Sequence, residues 1–115
     1  MLMFEGAAEE AMTLYASVFP GATFEIVERF PEGGVMRGRL TLAGHVLTCF
    51  DSPAKHAFTF TPSISLFVTC ESAAEQEQAF ARLAEGGQVL MPLDGYGFST
   101  RFGWVNDRFG VSWQL

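Results

Sequence analysis

"FEGAAEEAM" spans residues 4–12 and "CESAAEQEQ" spans residues 70–78; the two share Glu5/Glu71, Ala7/Ala73, Ala8/Ala74 and Glu9/Glu75 at a constant offset of 66. Ala-rich helix starts resemble one another by chance, so the match matters only if the surrounding chain repeats with it. Around the first stretch, "GAAEEAMTLYASVFP" puts Ala8, Ala11, Met12, Tyr15, Val18 and Phe19 at i, i+3, i+4, i+7 spacing, ended by Pro20-Gly21. That spacing predicts an amphipathic helix over about 6–19, with the short apolar "MLMF" before it as a first strand. In "ATFEIVERF", Phe24, Ile26 and Phe30 alternate with Glu25 and Arg29, while Val27 and Glu28 break the pattern, which predicts a half-exposed strand. The turn "PEGG" then leads to "VMRGRLTLAG" and "HVLTCFD", two strands split near Gly44. The order is β-α-β-β-β.

The second stretch sits in the same order. After a turn-rich loop, "SPAKHAFTFTP" (52–62), the run "SISLFVTC" predicts a strand with Ile64, Leu66, Val68 and Cys70 on one face. Ser72 and Glu75 form a capping box that opens a helix through about Ala84, with Ala73, Phe80, Leu83 and Ala84 as its apolar stripe and Gly86-Gly87 as its stop. A short "QVLM", then "YGFSTRFGWVND", then "GVSWQL" complete a second β-α-β-β-β. The offset also aligns Gly44 with Gly110, each at the turn before a last strand. One module has been duplicated: module one is 1–51, the loop 52–62 and module two 63–115, within a single α+β domain.

The totals narrow the function. At 115 residues, 49% apolar and 17% charged, the chain is globular and buries a modest core. Twelve Phe need a core, a pocket or a subunit interface to receive them. A net charge of −6 with Lys55 as the only lysine argues against a nucleic-acid partner. No apolar run reaches the length of a membrane span and the N-terminus lacks signal-peptide character, so a cytoplasmic chain is expected. Cys49 and Cys70 lie in separate strand-like runs outside any CxxC or Cys/His cluster, and are expected as buried reduced thiols.

Two such modules in one short chain resemble the vicinal-oxygen-chelate superfamily of glyoxalases and bleomycin-resistance proteins. The stretches "LMFEGAAEEAMTLYASVFPGA" (2–22), "FDSPAKHAFTFTPSISLFV" (50–68) and "GGQVLMPLDGYGFSTRFGWVNDRFGVSWQL" (86–115) resemble its PhnB-like branch, often labelled "3-demethylubiquinone-9 3-methyltransferase". The resemblance implies a curved mixed sheet around a cavity with helices on its outer face, commonly as a homodimer, and a few more residues ahead of Met1. The label's methyl transfer has no support in the residues: neither Gly33-Gly34 nor Gly86-Gly87 opens a helix after a strand, as a nucleotide-type loop would.

The superfamily often holds a divalent metal with residues of the first and last strand of each module. Those positions fall here on Thr48, Ser65 and Gln114, which are poor ligands without carboxylate or imidazole companions, so no metal and no other cofactor is expected. Strand alternation puts Thr48, Ser63, Ser65, Phe67 and Gln114 in the cavity, and places Val111, Trp113 and Leu115 against the helix. On the same logic Arg37, Arg39 and Arg101 project inward, where they would suit an anionic ligand, or else pair with acids such as Glu25 on neighbouring strands. His56 is a candidate general acid/base at the cavity mouth, or a loop residue fixed by Asp51 or backbone. The leading expectation is a small-molecule-binding protein without a metal. The alternatives are a metal-dependent or His/Arg-assisted enzyme on a small anionic substrate, and a structural module whose cavity is filled by Met1, Met3, Phe50 and Phe67.

Overall fold

A computed structural model describes residues 1–97 and 99–115. The chain divides into two compact units, Met1–Ala57 and Phe58–Leu115. In the first, β1 (Leu2–Phe4), α1 (Ala8–Val18), β2 (Thr23–Arg29), β3 (Val35–Leu42) and β4 (His45–Asp51) follow in order. Its four-stranded sheet runs β1-β4-β3-β2, with β1 parallel to β4 and the other pairs antiparallel. The expected helix stripe is the buried one: Ala8, Ala11, Met12 and Tyr15 are fully buried, with Val18 and Phe19 close behind. Gly38 lets α1 settle on the sheet, since a Cβ there would lie 2.7 Å from Met12 Cε. The break at Val27 and Glu28 is a pair of register shifts between β2 and β3, the usual result of one residue too many in a strand.

The second unit holds β5 (Leu66–Phe67), α2 (Ala73–Ala84), β6 (Gln88–Tyr96), β7 (Ser99–Asn106) and β8 (Ser112–Gln114). Its sheet repeats the first, in the order β5-β8-β7-β6 with β5 parallel to β8. Gly44 and Gly110, aligned by the repeat, both take left-handed backbone (φ 82° and 91°) at the turn before the last strand, a conformation glycine adopts without strain. Ser72 caps α2 by accepting the Glu75 N–H at 3.1 Å, and the Glu75 carboxylate reaches back to the Glu71 N–H at 3.2 Å.

Four expectations for this unit need correction. The fifth strand is two residues long rather than eight: β8 offers a ladder only to Leu66 and Phe67, while Ile64 N–H turns back to the Thr61 carbonyl and its side chain is 74% exposed. The buried stripe of α2 is Gln76, Ala79, Phe80 and Leu83; Ala73 lies in the first turn, exposed. The sixth strand runs well past "QVLM" because an edge strand with shifted register accommodates Pro92, which has no N–H to donate.

The fourth correction concerns β7. A Cβ on Gly103 would lie 2.5 Å from Phe80 Cε2, so Gly103 marks the face under α2, and its strand partners in parity, Arg101 and Val105, share that face. Arg101 therefore pairs with Glu77 of α2 instead of projecting opposite the helix. Phe102 and Trp104 take the other face.

Candidate functional site

A single row of side chains crosses all four strands of the second unit. Phe67 of β5 is in register with Gln114 of β8, Gln114 with Trp104 of β7, and Trp104 with Met91 of β6. Directly paired residues share a face of a sheet, and all four line one cleft of about 810 Å³. Phe102 joins them, its ring stacked on Phe67 at 6.4 Å between centroids and met edge-on by Tyr96 at 6.0 Å. The rim adds Cys70, Glu71 and the first turn of α2.

Two hydrogen bonds fix the polar groups of this row. Gln114 Nε2 donates to Ser65 Oγ at 2.8 Å, which leaves Oε1 as the acceptor of that amide. Trp104 Nε1 donates to Ser112 Oγ at 2.7 Å. Behind the row, Trp113 is fully buried and donates its indole N–H to Asp107 Oδ2 at 2.9 Å. Asp107 also takes the Phe109 and Val111 N–H groups at 2.9 and 3.0 Å, so one buried carboxylate pins the turn that delivers β8. Cys70 on the rim has its thiol pKa raised, first by burial and then by the neighbouring Glu75 carboxylate.

The structure thus brings Ser65, Phe67 and Gln114 together. Ser63 lies apart from them, in the turn where its hydroxyl meets Thr61 Oγ1 at 2.6 Å. Arg101 lines the cleft, with its guanidinium paired to Glu77. In the first unit, Thr48 is in register with Arg39, and Arg39 with Glu25, on the face away from α1. Arg39 pairs with Glu25 at 2.9 Å and Arg37 with Glu28 at 3.2 Å. His56 Nε2 lies 2.9 Å from Ser52 Oγ, and its backbone N–H faces Glu5 at 3.4 Å; Ser52, rather than Asp51, is the residue its ring meets. Asp51 is instead consumed by the backbone N–H groups of Gly6, Ala8 and Val35, each at 2.9 Å.

Trp104, Phe102 and Met91 were missed as site residues. The signal was Gly103: a glycine between two aromatics in a strand marks the face a helix presses on, and sends both aromatics to the other.

A divalent metal does not fit these positions. Ser65 and Gln114 are bonded to each other, Thr48 stands beside an ion-paired arginine, and none of the three brings a carboxylate or imidazole. Among the described residues no three His, Cys, Asp or Glu side chains gather as a metal-ligating group.

Comparison with known proteins places this arrangement. The chain is similar to a PhnB protein from Bacillus cereus, at 48% identity and a TM-score of 0.95 over 99% of this chain and 93% of that one. It is also similar to protein PA1353 of Pseudomonas aeruginosa, at 31% identity and a TM-score of 0.84 over 98% and 90% of the two chains. At 13% identity and a TM-score of 0.63, over 99% and 85% of the two chains, it shares the fold alone with the fosfomycin resistance protein FosX of Listeria monocytogenes, solved with Mn(II) and a dihydroxypropylphosphonic acid. No curated protein matches the chain in sequence. Residues 1–115 match the family described as 3-demethylubiquinone-9 3-methyltransferase, and the chain belongs to that PhnB-like family, on the α+β fold of the glyoxalase/bleomycin-resistance superfamily.

Proposed function

We propose that the chain is a small-molecule-binding protein whose ligand occupies the cleft of the second unit. The observation that carries this reading is the row Phe67–Gln114–Trp104–Met91, in which apolar surface and one fixed amide face the same space of about 810 Å³. Pockets of that size, mostly apolar with a few placed polar groups, are the usual form of small-molecule sites. FosX, a fold relative solved with Mn(II) and a small phosphonic acid, supports the reading in kind; its metal does not transfer, because the donor set here does not fit one. Methyl transfer draws no support either. Gly6 does sit between β1 and α1, but its N–H and that of Ala8 are taken by Asp51, so the helix start holds a carboxylate of its own rather than a cofactor's anionic group.

An anionic ligand was expected from three arginines. Each of the three is paired with a glutamate, which favours a neutral or cationic ligand over an anionic one. We further place the protein in the cytoplasm as a homodimer. Two free thiols accord with a reducing compartment. Val46, Phe58 and Ile64, each at least 60% exposed, favour a second copy as cover. No helix among the described residues is long and apolar enough to cross a membrane.

The test is a thermal-shift screen against a chemically diverse set of small organic molecules, aliphatic and aromatic, of either charge. Saturable stabilisation that Trp104→Leu abolishes is the expected result. Stabilisation by no class of compound would overturn the reading.

A further inference from the structure

Resting on that reading of the cleft, we propose that its ligand is a planar polycyclic aromatic molecule, neutral or cationic, that donates a hydrogen bond to Gln114 Oε1. Three features of the site exclude other classes. The first is shape and surface: Phe67 and Trp104 supply ring surface on one side of one sheet, Phe67 is backed by the buried Phe102 ring, and Phe67 remains 67% exposed. An exposed ring held against another by stacking is a surface a second flat ring can cover, and aromatic contacts are worth more than their area alone.

The second is the polar group. Gln114 Nε2 is spent on Ser65 and Trp104 Nε1 on Ser112. The indole donor is therefore occupied and the amide nitrogen has spent one of its two hydrogens, while Oε1 stands as an acceptor beside the rings. A ligand that brings a donor completes that oxygen.

The third is charge. The lining carries Arg101 and Glu71; Arg101 is neutralised by Glu77, which leaves the Glu71 carboxylate to set the sign, in a chain of net charge −6. An anion entering there meets the Glu71 carboxylate and must compete with Glu77 for the Arg101 guanidinium, whereas a delocalised cation gains from both the carboxylate and the ring faces.

The test uses the intact chain and probes of matched size: 9-aminoacridine (cationic, donor), 9-anthracenemethanol (neutral, donor), 9-methylanthracene (neutral, no donor), 9-anthracenecarboxylate (anion), and cyclohexanol as a saturated control. Binding is read by quenching of tryptophan fluorescence, to which Trp104 of the cleft contributes. The first two probes should bind, the carboxylate at least about tenfold more weakly, and cyclohexanol not at all. Gln114→Leu should weaken 9-anthracenemethanol about tenfold, the scale of one net hydrogen bond, and leave 9-methylanthracene unchanged. Gln114→Glu, which keeps an acceptor at that position, should retain 9-aminoacridine binding and so separates loss of the contact from loss of the fold.

Equal binding of the carboxylate, or equal weakening of both neutral probes by Gln114→Leu, overturns the proposal. Stabilisation by aliphatic or anionic compounds with none of the aromatic probes binding would overturn this inference and leave the binding function standing. Stabilisation by nothing in the diverse set would overturn both.

Discussion

Asp51 Oδ1 accepts the backbone N–H of Ala8 at 2.9 Å, capping α1 from a strand 43 residues later in the chain. The helix has no cap of its own, because Ala7 at its N-cap offers no side-chain acceptor. The same carboxylate takes the Gly6 and Val35 N–H groups and is itself 6% exposed. Asp51→Ala leaves three part-buried or buried donors without partners, and the loss should be about 3 kcal/mol, since each stranded donor costs about 1–3 kcal/mol before relaxation. Asp51→Asn keeps one acceptor but turns an NH₂ toward one of the donors, and should fall between. Urea unfolding with an unchanged m-value measures it. A loss below about 0.5 kcal/mol would mean that water replaces the carboxylate.

This carboxylate also marks where the sequence stops being legible. The stripe of α1, the turns at Gly44 and Gly110 and the Ser72–Glu75 cap are local patterns, and each is in the structure where the spacing puts it. The caps and pins made by Asp51 and Asp107 join residues that no spacing rule relates, so they leave no mark in the sequence. The site divides in the same way. That Ser65 and Gln114 come together was legible through the repeat and the strand parity that follows from it. Trp104 was not legible as a site residue, because Gly103, the residue that decides the face of its strand, has no side chain to enter a hydropathy pattern. Ser63 was lost to a strand end, which tertiary pairing sets rather than local propensity.

Gly38 and Gly103 play the same part in the two units, and their substitution should separate them. A Cβ at Gly103 meets the ring of Phe80 at 2.5 Å and Leu93 Cδ2 at 2.9 Å, and a ring locked in a core cannot turn aside. Gly103→Ala should cost about 3 kcal/mol, the upper range for one inserted carbon. A Cβ at Gly38 meets the flexible end of Met12, Cε at 2.7 Å and Sδ at 3.0 Å, which can swing to another rotamer. Gly38→Ala should cost about 1 kcal/mol. Equal losses in the two variants, measured by thermal and urea unfolding, would show that the helices rather than the side chains yield.

The Arg39–Glu25 pair is a surface contact, with the two side chains 51% and 61% exposed. Such pairs contribute about 0–1 kcal/mol, so Arg39→Ala should change stability by no more than that and leave binding of 9-anthracenemethanol unaltered. A large loss of affinity for any ligand in Arg39→Ala would return this arginine to the binding site and the anion to the list of ligands.

Cys49 and Cys70 should differ in reactivity and in their effect on stability at high pH. Cys49 is fully buried on β4, where burial pushes its thiol up to about 11. Native protein treated with iodoacetamide near neutral pH should label Cys70, half-buried at the cleft rim, well before Cys49. Labelling of Cys49 then requires unfolding of the first unit and should track its unfolding rate. The pH effect follows from the direction of the shift. A thiol whose native value is raised keeps its proton while the unfolded chain loses one, so its contribution is complete below the unfolded value near 9 and is lost as pH rises toward 11. Wild-type protein should therefore lose more stability than Cys49→Ala between about pH 8.5 and pH 10.5, after the pH-independent cost of the smaller side chain is subtracted. Parallel pH profiles for the two proteins would mean that water reaches Cys49 in the native state, and rapid labelling of Cys49 would say the same by an independent route.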